Sequence, residues 1–368
     1  MSISPRLKII YLLAVSTAVF VLGQRGVLVL LGFQGVLWIV AGVPAGELRN
    51  LRKSVLFMAM ILVCYALFSA GRDFTLLRIS GWDLRVSSAG VLDGAAMCAR
   101  LITILAAGTL VRSGLSRQQY ISGLTGLGMS RNLALLFEST LGYFEGRGGL
   151  SGGHGKRKDK AEVDGGGSGG RKIFLKRLLK GDFSVVEELI NSRLASARKT
   201  IADSDQALIF ALATVVVGVR LIKVVAGLPL APGHKNLIII PSYIAAATLT
   251  RTRFAAVHIG AVSGAINFLS GFGRFGIFDI FQHVLPALSV DLLVRISGGS
   301  RSLIVYAFIG LVAGVARVSA VLILSLLFRM PGEFYLLLVP FIVSQCLFGV
   351  LSAPVSRYMV SHIKIDGV

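Results

Sequence analysis

The sequence predicts an all-α, polytopic membrane helix bundle with about ten transmembrane helices and a cytoplasmic region of amphipathic helices. Three observations favour this fold class: a high apolar content, apolar runs long enough to cross a bilayer, and basic residues that collect in alternate loops. Of the 368 residues, 54% are hydrophobic, and the mean hydropathy is +0.78. A soluble chain of this length cannot bury so much apolar surface, so the excess indicates a protein that lies in lipid.

The apolar runs supply the predicted spans. Backbone groups in hydrocarbon must be satisfied within their own segment, which favours helices. Two runs are irregular: 237–250 is short for a crossing, and 276–294 carries several polar residues. The predicted spans are 9–22, 27–45, 54–71, 94–112, 206–226, 237–250, 254–272, 276–294, 303–328 and 334–352.

The distribution of basic residues predicts the orientation. One set of alternate segments, which includes both termini and the whole of 112–205, holds more Lys and Arg than the opposite set. Cytoplasmic loops carry such an excess, so we expect a multi-pass protein of the cell inner membrane with cytoplasmic N- and C-termini. The formal net charge of +20 follows from this pattern, and we predict a lipid environment and no nucleic-acid partner.

The predicted organisation has four parts. Residues 1–112 form a four-span membrane bundle, 113–205 a cytoplasmic coupling region, 206–228 a fifth span, and 229–368 a second membrane bundle. Within the coupling region, the Gly-rich and charged stretch 146–172 has almost nothing to bury and is typical of a linker.

Two amphipathic blocks flank this linker. Residues 115–145 predict one or two helices broken near Gly126 and Gly128. In the second block the apolar residues fall at steps of three and four, which predicts one helix with a single apolar stripe. That stripe fits either a helix lying on the bilayer or a helix that docks into the groove of a soluble partner. Its members are Phe183, Val186, Leu189, Ile190, Leu194, Ala197 and Ile201.

The sequence carries no recognisable catalytic or nucleotide-binding motif. The stretch 150–157 departs from the phosphate loop, because Leu150 takes the place of its first glycine and Arg157 the place of its Ser or Thr. An intramembrane protease pairing Ser263 with His258 or His283 is a weaker alternative, since no spacing ties the Ser to a His. We therefore predict a protein that is not an enzyme and holds no cofactor or metal.

Polar residues within 254–294 are the candidate solute site. Charged groups in hydrocarbon cost several kcal/mol unless they are paired or line a cavity. Asp279 and His283 are four residues apart and would share one helix face, and Arg274 is a candidate counter-ion. The same cluster could instead act as structural glue between helices, and Arg220, Lys223 and Arg317 are expected to reach the interface or to pair. The candidate solute ligands are Asn267, Asp279, His283 and Asp291.

The layout of residues 1–226 resembles the transmembrane T component of energy-coupling factor transporters. The run from Leu115 to Arg131, with Leu124-Thr125-Gly126-Leu127-Gly128 at its centre, looks like the family segment that follows the fourth span. The resemblance implies long coupling helices that dock onto two cytoplasmic ABC ATPases. The family's Ala-Arg-Gly docking motif is matched here by Ala197-Arg198, with Lys199 in the glycine position and Arg193 one turn earlier.

Residues 229–368 are similar to a fused S component, the subunit that captures the solute, with five predicted spans where that component usually has six. The resemblance implies a membrane subunit of an ATP-driven uptake transporter for a vitamin-like or metal micronutrient. Its partners would be ABC ATPase subunits and a small-molecule solute. An autonomous ion-coupled secondary transporter, using Asp279, His283 and Asp291 as ion ligands, is the alternative.

Overall fold

The computed structural model describes residues 4–44, 54–69, 71, 73–79, 82–146, 177, 182–198, 201, 203–221, 233–270, 276–327 and 332–363. These residues form fourteen α-helices, one 3₁₀ helix (Gly276–Ile280) and one two-stranded hairpin. In chain order the elements are α1 (Pro5–Val21), α2 (Gln24–Val40), α3 (Val55–Phe68), β1 (Phe74–Ile79), β2 (Trp82–Val86), α4 (Ser88–Ser113), α5 (Arg117–Gly126), α6 (Arg131–Gly146), α7 (Ser184–Arg198), α8 (Ser204–Leu221), α9 (Asn236–Leu249), α10 (Ala255–Leu269), α11 (Phe281–Ile296), α12 (Leu303–Leu327), α13 (Gly332–Leu351) and α14 (Ala353–His362).

Among the described residues, four helical segments are long and apolar enough to cross a membrane: Ser88–Ser113, Gly276–Ile296, Leu303–Leu327 and Leu338–His362. Shorter apolar helices include Gln24–Val40, Ser204–Val219 and Asn236–Leu249. The prediction of a helical membrane protein is therefore confirmed at this level. Each of the ten predicted spans falls largely on a helix, whereas the number of crossings stays a prediction.

The chain folds into two compact units. Unit 1 comprises Met1–Ala134, Asn267–Phe281 and Ser319–Pro340, and unit 2 comprises Leu135–Ile266, Gln282–Val318 and Phe341–Val368. The four-part organisation drawn from the sequence stays a prediction.

Helix α4 is the centre of unit 1. It packs against α1, α2 and α3, and Leu101, Ile104 and Ala107 are fully buried. Close approach to α3 requires Gly90, because a Cβ there would lie 2.3 Å from the carbonyl oxygen of Tyr65. Hydrogen bonds add specificity, as when the Trp38 indole donates to the Ala106 carbonyl oxygen at 3.1 Å. Unit 1 is thus built around one long apolar helix.

A β-hairpin precedes α4 and was not predicted. Strands β1 and β2 pair antiparallel from Phe74↔Val86 to Ile79↔Trp82, with an irregularity between Thr75 and Leu77. Asp73 joins this hairpin to α4, since it accepts hydrogen bonds from the backbone N–H and the hydroxyl of Ser88. These bonds lower the pKa of the Asp73 carboxyl.

Unit 2 is held together by glycine-mediated contacts between helices. A Cβ on Gly310 of α12 would lie 2.1 Å from the carbonyl oxygen of Gly349 on α13, and one on Gly314 would lie 2.7 Å from that of Gln345. The spacing Gly310-x-x-x-Gly314 is the small-residue pattern that lets membrane helices touch. Helix α8, whose residues 207–213 are buried throughout, packs against α7 and α9, and α9 packs against α14.

Candidate functional site

His283 and its neighbours form the tightest part of the predicted solute cluster. His283 is 1% exposed, and its Nδ1 lies 3.3 Å from the buried Ser263 hydroxyl on α10. A Cβ on Gly260 of α10 would lie 2.6 Å from the His283 carbonyl oxygen. The imidazole therefore sits in a packed α10–α11 contact, where it can exchange a hydrogen bond with the Ser263 hydroxyl.

Asp291 has a structural partner. Its two carboxylate oxygens accept hydrogen bonds from the backbone N–H groups of Ala256 and Val257, at 3.3 and 2.9 Å. Those N–H groups lie in the first turn of α10, where no intrahelical acceptor exists. One turn further along α11, the Arg295 guanidinium lies 4.6 Å from the centre of the Phe254 ring. Asp291 thus caps α10 from a neighbouring helix, a role that the sequence analysis did not foresee.

Asp279 and Asn267 belong to unit 1, whereas His283 and Asp291 belong to unit 2. Asp279 is 5% exposed and Asn267 is half-buried. Asp279 lies in the 3₁₀ helix Gly276–Ile280, and His283 lies in the first turn of α11. That the two side chains share one helix face stays a prediction. The candidate counter-ion Arg274 lies outside the described residues.

Helix α7 is the helix expected to dock a partner, and its apolar stripe is covered by the chain itself. Val186 and Ile190 are fully buried, and Leu194 and Ala197 are nearly so. The helix packs against α8 and α14. The most buried part of the stripe is therefore covered by helices of the chain itself, whereas contact of α7 with the bilayer or with a partner stays a prediction. Burial also removes Ala197 from the surface on which a partner could bind.

The remaining predicted coupling residues lie on the polar side of α7. Arg198 is exposed and Arg193 is half-buried; burial lowers the pKa of Arg193. The two helices predicted to flank the break at Gly126 and Gly128 are present as α5 and α6.

The start of α7 is fixed by a small polar network. Asp182 accepts hydrogen bonds from the Ser184 hydroxyl at 2.6 Å and from the Arg177 Nε at 2.7 Å. The Ser184 and Arg177 bonds lower the pKa of the Asp182 carboxyl. Within the same helix, Glu187 accepts a 2.8 Å hydrogen bond from the Tyr358 hydroxyl of α14. Both contacts tie α7 to a defined position in unit 2.

A polar triad in unit 2 escaped the sequence analysis. The Arg317 guanidinium of α12 donates to the Asn236 side-chain oxygen at 2.9 Å, and the Asn236 amide nitrogen donates to the Gln345 side-chain oxygen at 2.7 Å. Asn236 begins α9, and Gln345 lies on α13. Arg317 was expected to reach the interface or to pair, and its described hydrogen-bond partner is the neutral amide of Asn236. The sequence signal was an arginine in the middle of an apolar run.

Among the described residues, no group of three or more His, Cys, Asp and Glu side chains is placed to hold a metal ion. Comparisons of the chain with protein-family models, with curated proteins and with solved structures found no match.

Proposed function

We propose that this chain is a membrane subunit of an ATP-driven uptake transporter that couples cytoplasmic ABC ATPases to the passage of a vitamin-like or metal micronutrient. The observation that carries the proposal is helix α7. It lies between apolar helices, presses its stripe into the chain's own core, and leaves the charged Arg198 exposed. Such a helix fits the resemblance to the T component of energy-coupling factor transporters.

A helix in this position suits the transmission of force. Its buried stripe contacts the apolar helix α8 and the C-terminal helix α14. Close-packed interiors pass displacement to their neighbours rather than absorb it. A partner that binds the polar face of α7 and changes shape would therefore move apolar helices of unit 2.

The proposed topology has ten crossings, with the shorter apolar helices spanning beside the four long ones and both termini in the cytoplasm of the cell inner membrane. This arrangement places α5, α6 and α7 on the side where ATP and soluble ATPases are found. Excess Lys and Arg on that side support it.

For the solute, Asp279, His283 and Asn267 each stay a candidate ligand. Asp279 and His283 are buried, and polar groups inside a membrane protein are site candidates by default. Asp291 is now better explained by its capping of α10. We expect Asp279→Asn and His283→Ala to weaken solute binding at least tenfold, about 1.4 kcal/mol, with normal expression.

The coupling proposal is tested with Arg198→Glu and a matched charge reversal, Arg301→Glu, at another exposed arginine. Each variant is expressed in its native host, and co-purified ATPase and ATP-dependent uptake are measured. Reversing a charge at a desolvated contact costs several kcal/mol, whereas at an exposed site it costs little. We expect Arg198→Glu to lose the ATPase while Arg301→Glu keeps it. Equal co-purification in both variants would refute docking through α7.

The alternative, an ion-coupled secondary transporter, is favoured by one observation: His283 is buried beside Ser263, and a histidine changes protonation near neutral pH. Uptake that persists after ATP depletion and stops when a protonophore is added would favour this alternative.

A further inference from the structure

If α12 spans the membrane, as its length and composition allow, the triad of Arg317, Asn236 and Gln345 is at the depth of the membrane interior. From Leu303 to Arg317 α12 advances fourteen residues, about 21 Å, and ten more residues, about 15 Å, remain to Leu327. A hydrocarbon core is about 30 Å thick. Arg317 is therefore far from both ends of a helix long enough to span.

Helix α9 begins at the same depth. Near its C-terminus Thr248 lies close to Tyr306 of α12, and at its N-terminus Asn236 contacts Arg317. The two helices therefore run antiparallel, and the thirteen steps of α9 cover only about 20 Å. A helix of that length covers only part of the core by itself, and irregular backbone at such depth is tolerated where it is buried in protein or lines a water-filled cavity.

The hydrogen bonds within the triad leave mainly donors for a further partner. An arginine has five N–H donors and no acceptor, so the Asn236 oxygen must face Arg317 and its nitrogen must face Gln345. Both amide oxygens then accept inside the triad. Among the described residues, the other N–H groups of the guanidinium and of the two amide side chains have no hydrogen-bond acceptor and can donate to a further partner.

The charge of Arg317 is not balanced within the described part of the chain. Its hydrogen-bond partner there is Asn236, and the other group that acts on it electrostatically is the Tyr243 phenol. Arginine keeps its proton in proteins, and a charge at this depth is costly without a counter-charge. Asn236 also stands at the N-terminus of α9, the positive end of the helix dipole, although its backbone N–H already donates to Gly233.

We propose that Arg317, Asn236 and Gln345 form a binding site for the carboxylate or phosphate group of a small solute. Start points of short helices inside membranes meet anionic solute groups in other transporters, and a guanidinium binds such groups through paired N–H bonds. A donor-only cationic site repels metal ions, so it favours the vitamin-like class of solute. The assignment to a vitamin-like solute rests on the proposed function, whereas the binding of an anion to the triad does not.

A purely structural triad is the competing explanation. Joining three helices by hydrogen bonds requires amides or hydroxyls, not a charge, and a cation that is partly removed from water lowers stability when no anion compensates it. The competing explanation predicts that added anions leave the protein unchanged.

The test uses the purified full chain in a neutral detergent. Its thermal unfolding midpoint is followed during titration with sodium benzoate or sodium phosphate, against sodium chloride at equal ionic strength. We expect saturable stabilisation of the wild type by at least one of the two anions, and at least tenfold weaker apparent affinity in Arg317→Gln. The exposed Arg301→Gln should behave like the wild type.

A second variant covers the case in which Arg317→Gln fails to fold. Asn236→Asp supplies an internal carboxylate to the guanidinium, so it should fold without added anion and lose the anion response. Two results would overturn the proposal. In the first, neither benzoate nor phosphate stabilises the wild type; in the second, Asn236→Asp responds to the anions as strongly as the wild type does. Stabilisation by phosphatidylglycerol over phosphatidylcholine nanodiscs, without any response to free anions, would assign the site to lipid and also overturn it. The anion titration involves no ATPase, so the anion-site proposal and the coupling proposal can be refuted independently of each other.

Discussion

Replacing Asp291 tests whether its carboxylate has a structural role or binds the solute. Hydrogen bonds that involve a charged group contribute about 1.5–3 kcal/mol each. Counting the 2.9 Å bond to Val257 in full and the 3.3 Å bond to Ala256 at about half, Asp291→Ala should destabilise the protein by about 3 kcal/mol. Two N–H groups at the start of α10 would then lack their acceptor.

Asp291→Asn is the matched variant, because it keeps one acceptor oxygen and nearly the same shape. Neutral hydrogen bonds contribute about 1 kcal/mol, so we expect a loss of about 1–2 kcal/mol.

The assay is thermal unfolding of the purified chain in detergent, with solute binding measured on the same samples. The expected order of stability is wild type, Asp291→Asn, Asp291→Ala, with solute affinity unchanged in the asparagine variant. Equal stability of all three proteins would refute the capping role. Lost affinity in Asp291→Asn at wild-type stability would return Asp291 to the solute site.

Three further predictions concern packing, pH and topology. Gly310→Ala should destabilise the protein by about 1–3 kcal/mol, because the added Cβ meets the Gly349 carbonyl oxygen. Gly332→Ala should not destabilise it, because Gly332 has open space around it. The thermal unfolding midpoints of the two variants test this prediction. The lowered pKa of Asp182 means that its bonds to Ser184 and Arg177 stabilise the start of α7 above the ordinary aspartate pKa and are lost as pH falls through the lower folded value. A spin label on α7 should thus gain mobility in acid, and at neutral pH in Asp182→Asn; unchanged spectra would contradict this. For topology, a cysteine replacing Ser80 should react with an impermeant reagent in intact cells and one replacing Lys160 only after permeabilisation, and the reverse pattern would overturn the orientation.

Much of the helical layout could be predicted because hydropathy in a membrane protein depends on local composition. The break between α5 and α6 was visible in Gly126 and Gly128, and the three- and four-residue steps after Phe183 located α7. Both signals are short in range, and each maps directly onto backbone geometry.

The β-hairpin had a signal that was overlooked. Residues Trp82 to Val86 alternate apolar and polar side chains, and Ser80-Gly81 is a common turn dipeptide. Placed between two apolar helices, the segment has the composition of a charged loop. A two-residue alternation can therefore mark a hairpin even between predicted spans.

The site was less predictable, because its partners are distant in sequence. Asp291 caps a helix that begins 36 residues earlier, and Asn236 meets Gln345 across 109 residues. Composition marks Arg317 and Asp291 as unusual in apolar runs, but it cannot say which backbone or amide they reach. That information comes only from tertiary packing.

The contact of Gly310 with Gly349 also restricts how unit 2 can move. Where two backbones touch with no side chain between them, one helix cannot slide past the other without driving a neighbouring Cβ into a carbonyl. Helices α12 and α13 should therefore rotate together as one rigid body. Freedom remains at the turn before α12, where Gly298 and Gly299 hold positive φ values with open space around them. A transport cycle in this part of the molecule would hinge there.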